Sequence, residues 1–219
     1  MGLKTLPEFV KRHGLRASII HGAYATAERA VGFKALKGMT LQVEDIDPKY
    51  LGDVPPFSCH RSSAEDFARL AGTAELAPDW FYEAAATRGD WCHYVRDGET
   101  IASYGWYSTQ MVPVVADTWI NFGPDFVYMY KGFTRPEYRG HQLHAYGMAH
   151  AAAAAMADDY QGLISYVEAH NESSLRSVAR LGYRTFGTCI RARILGRTFT
   201  FRSAGCSPYQ FRLVVPGYH

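Results

Sequence analysis

FVYMYKGFT, residues 126–134, predicts a β-strand, and PEYRGHQLH, residues 136–144, leads from that strand into an alanine-rich helix. A helix that begins directly after a strand presents free backbone N–H groups and the positive end of its dipole. Both features favour a bound anion. The stretch therefore predicts a turn that holds a diphosphate at the start of the helix.

The neighbouring elements predict an α/β fold. A helix between strands at 126–134 and 162–168 makes those strands parallel, with a right-handed crossover. Hairpins, including one at Asp97-Gly98, make the other strands antiparallel. The remaining predicted elements are a strand over 57–61, helices ending near 70 and spanning 78–88, hairpin strands over 91–96 and 99–107, a helix from 171, and strands over 185–194 and 209–215. The result is a mixed, mostly antiparallel sheet covered by helices.

The chain divides into two parts. Residues 1–56 are predicted to be an N-terminal extension with a helix over 7–13, a helix over 17–30 and a strand over 39–43. Residues 57–219 are predicted to form the main domain. The length of 219 residues is sufficient for one domain plus such an extension.

Composition excludes several classes of partner. Net charge is +2, so no large basic surface is expected and nucleic acid is not an expected partner. The N-terminus has no apolar signal region, and no stretch reaches the ~20 apolar residues of a membrane span. We expect a cytoplasmic protein, for which a homodimer is compatible with the sequence.

Cysteine and histidine spacing predicts no metal site. The four cysteines are scattered without a paired motif, so we expect free, mostly buried thiols. His141 and His144 share one helix face, but no nearby cysteine or carboxylate completes a ligand set.

Gly132 is the informative residue of the strand. Alternation places Tyr128, Tyr130, Gly132 and Thr134 on one face. A glycine inside a strand usually marks a bulge or the close approach of another backbone or ligand. The alternative is a glycine that relieves crowding against an aromatic ring.

Two motifs carry a family resemblance. Arg139-Gly140 at the helix start, and Asn171-Glu-Ser-Ser174 followed at a fixed distance by Gly182-Tyr183, are similar to motifs of the GNAT superfamily of N-acetyltransferases. The resemblance spans about residues 57–215. It implies a GNAT-like fold in which a bulged strand splays from its parallel neighbour, with helices on both faces, and it implies acetyl-CoA or another acyl-CoA as co-substrate.

The resemblance also implies a set of cofactor contacts. The main chain of Gly132, Phe133 and Thr134 would contact pantetheine, and one amide would face the thioester oxygen. Asn171 and Ser174 would lie beside the cofactor. The diphosphate would lie against Arg139, Gly140, His141, Gln142, Leu143 and His144.

The chain departs from the family pattern at three positions. Gln142 and His144 stand where the family has small residues, so Gln142 either crowds the diphosphate or donates its amide to it. Val178 stands where many members have a tyrosine that acts as the general acid.

The catalytic candidates are therefore taken from neighbouring residues. Glu168 is favoured as general base, because it ends the strand near the splay. His170, Asp125 and Asp117 are the alternatives. Tyr130 is a candidate acid, as are Tyr128 and Tyr166. No cysteine lies in the motifs, which favours direct attack over a covalent intermediate.

The predicted function is transfer of an acetyl or other acyl group to an amine or hydroxyl of a small molecule. Two alternatives stay open. One is a GNAT-like module that binds CoA without catalysis, and the other is an acyl or aminoacyl transferase that uses a donor other than CoA.

Overall fold

The computed structural model of the chain describes residues 22–70, 77–115 and 117–215. The strands are β1 Lys34–Leu41, β2 Phe57–Ser63, β3 Trp91–Asp97, β4 Thr100–Ser108, β5 Val112–Val115, β6 Thr118–Asn121, β7 Phe126–Thr134, β8 Gly162–Glu168, β9 Arg184–Ile194, β10 Arg197–Arg202 and β11 Arg212–Val214. The α-helices are α1 (residues 22–31), α2 Ala64–Arg69, α3 Asp79–Arg88, α4 Leu143–Ala157 and α5 Glu172–Leu181. The helix predicted over 7–13 lies outside the described residues.

Eight strands form one mixed sheet in the order β10-β9-β1-β8-β7-β4-β3-β2. Only β7 and β8 are parallel, and the other neighbouring pairs are antiparallel. Helices α4 and α5 cover one face, and α2 and α3 pack on the other. The predicted α/β architecture, with its parallel strand pair and helices on both faces, is therefore confirmed.

The alanine-rich composition of α4 explains its close packing on the sheet. Ala149, Ala152 and Ala155 are buried in the core beneath the helix. Gly147 faces strand β3, because a β-carbon there would already be in van der Waals contact with Val95 Cγ2, at 3.4 Å. Small side chains bring the helix N-terminus close to the end of β7.

A small second sheet, β11-β6-β5, covers the face opposite α4. Its residues Ile120 and Leu213 pack with Leu36, Tyr128 and Ile164 of the large sheet. Sequence reasoning missed β5 and β6 because each has only four residues, too few to show a period.

The strand predicted in the N-terminal extension is β1, and it lies inside the large sheet between β8 and β9. It starts earlier than predicted, at Lys34, and ends at Leu41. Leu36, Met39 and Leu41 are fully buried. The division at residue 56 stays a prediction, but the described part of the extension supplies a central strand.

A β-bulge at Tyr130 corrects the predicted arrangement of side chains on β7. Trp106 of β4 pairs with Lys131 and Tyr107 pairs with Met129, so Tyr130 is the extra residue. The bulge reverses the alternation. The missing β-carbon of Gly132 points at His144 of α4. The prediction that Gly132 shares a face with Tyr128 and Tyr130 is therefore wrong.

Strands β7 and β8 separate soon after they meet. Their pairing runs only from Phe126–Tyr128 against Gly162–Ile164. Beyond it, β7 stays with β4 and β8 stays with β1. Ser165 donates a hydrogen bond of 2.7 Å to the Met129 carbonyl, which has lost its strand partner. A gap between the two strands is the consequence.

Within the described residues, no helix combines the length and apolar character needed to cross a membrane.

We expect Gly182→Ala to destabilise the fold much more than Gly196→Ala. Both glycines have positive φ, +121° and +80°, but a β-carbon at Gly182 would overlap the Asp45 carbonyl oxygen, whereas nothing lies within 4 Å at Gly196. Left-handed backbone alone costs about 1–2 kcal/mol for alanine. Overpacking adds about 1–3 kcal/mol at Gly182. Denaturant unfolding measures both changes, and equal losses would contradict the overlap.

Candidate active site

A cavity of about 790 Å³ lies at the gap between β7 and β8. Its lining includes Met129 and Ser165, whose side chains lie on the α4 side of the sheet, and Tyr128, Tyr130 and Tyr166, whose side chains lie on the opposite side. Residues of both faces of the sheet thus contribute to the lining at the gap.

The charge of the cavity favours an anion on the α4 side. Lys49 and Arg180 line it, and none of the described lining residues carries a carboxylate. Lys49 also forms an ion pair of 2.5 Å with Asp47, which does not line the cavity. The local excess of positive charge would attract a phosphate-bearing ligand.

The start of α4 has the geometry of an anion site. The first hydrogen bond within the helix runs from the Tyr146 N–H to the Gln142 carbonyl, at 3.0 Å. The preceding first-turn amides therefore have no intrahelical partner. The Gln142 side chain makes no capping hydrogen bond to them. Gly140, at φ +95°, lines the cavity beside this turn.

Gln142 is held by a residue of the N-terminal segment. Its backbone is left-handed, with φ +60°, a conformation that glycine adopts at no steric cost. Its side-chain carbonyl accepts a hydrogen bond of 2.6 Å from the buried Tyr50 hydroxyl. That contact leaves the amide nitrogen of Gln142 available to donate elsewhere.

His144 explains why residue 132 is a glycine. A β-carbon at Gly132 would overlap the His144 imidazole. Burial lowers the pKa of His144 to about 4, so the ring is neutral at pH 7. The crowding partner is thus an aromatic ring of this chain, while both residues also line the cavity.

The structure brings eight of the candidate residues from the sequence into the cavity lining. They are Tyr128, Tyr130, Gly132, Gly140, Gln142, His144, Tyr166 and Ser174. Strands β7 and β8, the turn before α4, α4 itself and α5 thus all contribute to the lining.

The other cofactor-binding candidates lie outside the lining. Phe133 packs against Tyr104, and Thr134 Oγ1 lies 2.9 Å from Ser103 Oγ. Asn171 caps α5 by accepting from the Ser174 N–H at 3.1 Å. The last three candidates are the exposed Arg139 and His141 and the buried Leu143.

Glu168 and His170 also lie outside the cavity lining. The Lys34 ammonium donates to Glu168 Oε1 at 2.7 Å and forms an ion pair of 2.5 Å with Glu28. His170 stacks on Tyr24, with ring centroids 3.8 Å apart. These contacts tie α1 to β1 and β8, and a catalytic role for Glu168 would require its release from Lys34.

Sequence reasoning missed several residues at the cavity. Lys49 and Tyr50 lie in the segment assigned to the extension, and Arg180 lies at the end of α5. Asp90 accepts a hydrogen bond from the Tyr130 hydroxyl at 2.9 Å. The only local signal for Asp90 is its position directly after Gly89, the left-handed residue that ends α3.

No protein-family model matches the sequence, and no curated protein matches it. The chain is similar to several solved structures. One is a functionally unknown conserved protein from Staphylococcus epidermidis, with 10% identity and a TM-score of 0.50, covering 76% of this chain and 63% of that one. Another is a GCN5-related N-acetyltransferase from Kribbella flavida, with 15% identity, a TM-score of 0.47 and coverages of 90% and 64%. A third is an acetyltransferase of the GNAT family from Colwellia psychrerythraea, with 11% identity, a TM-score of 0.47 and coverages of 72% and 55%.

The chain has the mixed α/β architecture that the sequence resemblance implied. Three features that the sequence resemblance implied are present. They are the bulge in β7, the separation of β7 from β8 and the helix that follows β7. The likeness concerns the fold, because identity to these structures is low. The chain spans less than two thirds of each of them.

We expect Gly132→Ala to lower thermal stability, and the added change His144→Ala to restore most of the loss. The new methyl group overlaps the imidazole in the single variant, and overpacking of this kind typically costs about 1–3 kcal/mol. Thermal unfolding of both single variants and the double variant measures the coupling. Additive losses would show that the two side chains do not compete for space.

Proposed function

We propose that the protein transfers an acyl group from acyl-CoA to an amine or hydroxyl of a small molecule, by direct attack in a ternary complex. The observation that carries this proposal is the cavity at the gap between β7 and β8, whose lining includes residues from both faces of the sheet. A donor can enter from the α4 side and an acceptor from the other. Holding both reactants in one gap supplies proximity and orientation.

The donor side suits CoA. The diphosphate would lie at the start of α4, with Gly140 and Gln142 beside it and with Lys49 and Arg180 supplying charge. Pantetheine would run along the edge of β7 that β8 leaves unpaired. An amide of that edge, at Gly132 to Thr134, would face the thioester oxygen.

Direct attack fits the side chains of the cavity. Cys92, Cys189 and Cys206 are buried elsewhere, and Cys59 is not among the lining residues. Ser165 lines the cavity, but its hydroxyl donates to the Met129 carbonyl. The acceptor itself is then the nucleophile.

A module that binds CoA without catalysis is the second candidate. Glu168 is paired with Lys34. Val178 stands where many GNAT members have a tyrosine that acts as the general acid. Both observations favour binding without transfer.

The test is thermal stabilisation by acetyl-CoA and by longer acyl-CoAs, followed by detection of free CoA thiol with a panel of amines and alcohols. We expect stabilisation by ligand binding to the folded state, and thiol release with at least one acceptor. Stabilisation without thiol release favours the binding module. No stabilisation by any acyl-CoA would contradict both the acyl-CoA-dependent transferase and the CoA-binding module, and it would favour a donor other than CoA.

We expect Gly140→Asp to abolish acetyl-CoA binding, whereas Gly140→Ala retains most of it. Both variants bear the same strain at φ +95°, and nothing lies within 4 Å of a β-carbon there. Only the aspartate adds a negative charge beside the proposed diphosphate. Titration calorimetry on both folded variants measures the difference, and equal affinities would move the diphosphate away from this turn.

Gln142 and Tyr50 provide a second test of the donor side. If the Gln142 amide donates to phosphate, Gln142→Gly should weaken acetyl-CoA binding by about 1 kcal/mol, a typical net hydrogen bond. The same change should raise stability, because glycine relieves a left-handed backbone that costs about 1–2 kcal/mol.

Tyr50→Phe removes the hydroxyl that orients the Gln142 amide. It should weaken acetyl-CoA binding in the wild-type background and have no effect in the Gln142→Gly background. Tyr209→Phe, which removes a hydroxyl outside the cavity lining, is the control. A tenfold gain of affinity in Gln142→Gly would show instead that Gln142 crowds the diphosphate.

A further inference from the structure

A buried carboxylate lies directly behind the cavity wall opposite α4. Tyr130 is one of the residues that line the cavity, and its hydroxyl donates to Asp90 Oδ2 at 2.9 Å. The Asp90 side chain is 0% exposed. Tyr130 therefore links this buried carboxylate to the cavity lining.

The contacts of Asp90 are unevenly shared between its two oxygens. Arg88 Nη2 lies 2.6 Å and Arg88 Nε 2.9 Å from Oδ2, the oxygen that also accepts from Tyr130. Among the described residues Oδ1 has no hydrogen-bond partner, although it is buried. A buried, unpaired acceptor is costly, on the order of 1–3 kcal/mol. Such a cost invites a functional explanation.

The phenol alone is a poor base. Burial, together with the negative charge of Asp90, raises the pKa of Tyr130 far above its ordinary value. Tyr130 therefore keeps its proton near neutral pH. It can accept a proton from an acceptor molecule only if it passes its own to Asp90.

We propose that Tyr130 and Asp90 form a proton relay that deprotonates the acceptor during acyl transfer. The proposal rests on the proposed acyltransferase function. That reaction requires a group that takes the proton of the acceptor, and none of the described residues that line the cavity carries a carboxylate.

The acceptor nitrogen or oxygen bonds to the thioester carbonyl carbon, its proton passes to Tyr130 Oη, and the Tyr130 proton moves along the existing hydrogen bond to Asp90. The carbon–sulfur bond then breaks, and the thiolate leaves with the electron pair. The proton on Asp90 returns to Tyr130, whose own proton passes to the thiolate, which leaves as free CoA thiol.

The charged groups around the relay are few. Arg88, at the end of α3, faces both partners and lies 3.4 Å from Tyr130 Oη. Tyr128 stacks on Tyr130, and Tyr166 stacks on Tyr128. The Lys131 ammonium lies over the Phe81 ring, 4.0 Å from its centroid. Arg88 pairs with Asp90 Oδ2, the same oxygen that accepts the hydrogen bond from Tyr130.

The test compares Asp90→Asn, Tyr130→Phe and the double variant with Asp158→Asn. Asp158 is a matched control, because it also pairs with an arginine, Arg61, but is half exposed and lies outside the cavity lining. For each variant the measurements are acetyl-CoA affinity, thermal stability, and turnover against pH with an acceptor from the amine and alcohol panel.

We expect Asp90→Asn to lower turnover at least on the order of a hundredfold near neutral pH, with acetyl-CoA affinity within twofold of wild type. The loss should shrink as pH rises, because hydroxide replaces the relay. The double variant should be no slower than the slower single variant, since the two groups act as one unit. Asp158→Asn should behave as wild type.

Three results would overturn the relay. The first is near-normal turnover in folded Asp90→Asn. The second is near-normal turnover in Tyr130→Phe. That variant keeps the Arg88–Asp90 pair, so it tests the relay even where Asp90→Asn fails to fold. The third is a rate loss that is independent of pH and matched by equal losses of affinity and stability, which would show a structural role. Wild-type protein that binds no acyl-CoA would instead overturn the proposed function.

Discussion

The separation of β7 from β8 is the constraint on which the rest of the structure depends. Backbone groups of a strand that loses its neighbour must find other partners or face a solvent-filled space. Ser165 supplies a partner for one carbonyl, at Met129, and Tyr130 and Gly132 further along this edge line the cavity. The bulge at Tyr130 adds a second effect, because it turns Gly132 towards α4 and leaves Tyr130 on the opposite face. One irregularity thus directs neighbouring residues of a single strand to opposite faces of the sheet.

The N-terminal segment completes this arrangement. Strand β1 pairs with β8 on the side away from the gap, so it holds the second wall in place. Lys49 and Tyr50, a few residues later, reach the start of α4. Gln142 has a left-handed backbone and bears strain that glycine would avoid. The hydrogen bond from Tyr50 gives its side chain a fixed partner. Tyr50 thus supplies a structural reason for a glutamine at position 142, where the sequence resemblance implied a small residue.

The two sides of the cavity differ in charge. Basic side chains border the α4 side of the cavity, and the carboxylate of Asp90 is set back behind Tyr130 on the other side. A carboxylate placed directly in the cavity would repel an anionic cofactor. Setting it behind a phenol keeps the negative charge buried against Arg88 while a hydrogen bond connects it to the gap.

Features that depend on near neighbours could be predicted from the amino-acid sequence alone. The strand, turn and helix around residues 126–144, the cap of α5 at Asn171 and the helix-ending Gly182 follow from local backbone chemistry, and all are present. The site required the tertiary structure. Lys34 and Glu168 are 134 residues apart, Tyr50 and Gln142 are 92 apart, and Tyr130 and Asp90 are 40 apart. Periodicity and capping report on positions within one or two turns. Only the assembled sheet decides that Asp90 is hydrogen-bonded to a residue of the cavity lining, whereas Glu168 is held by Lys34 outside that lining.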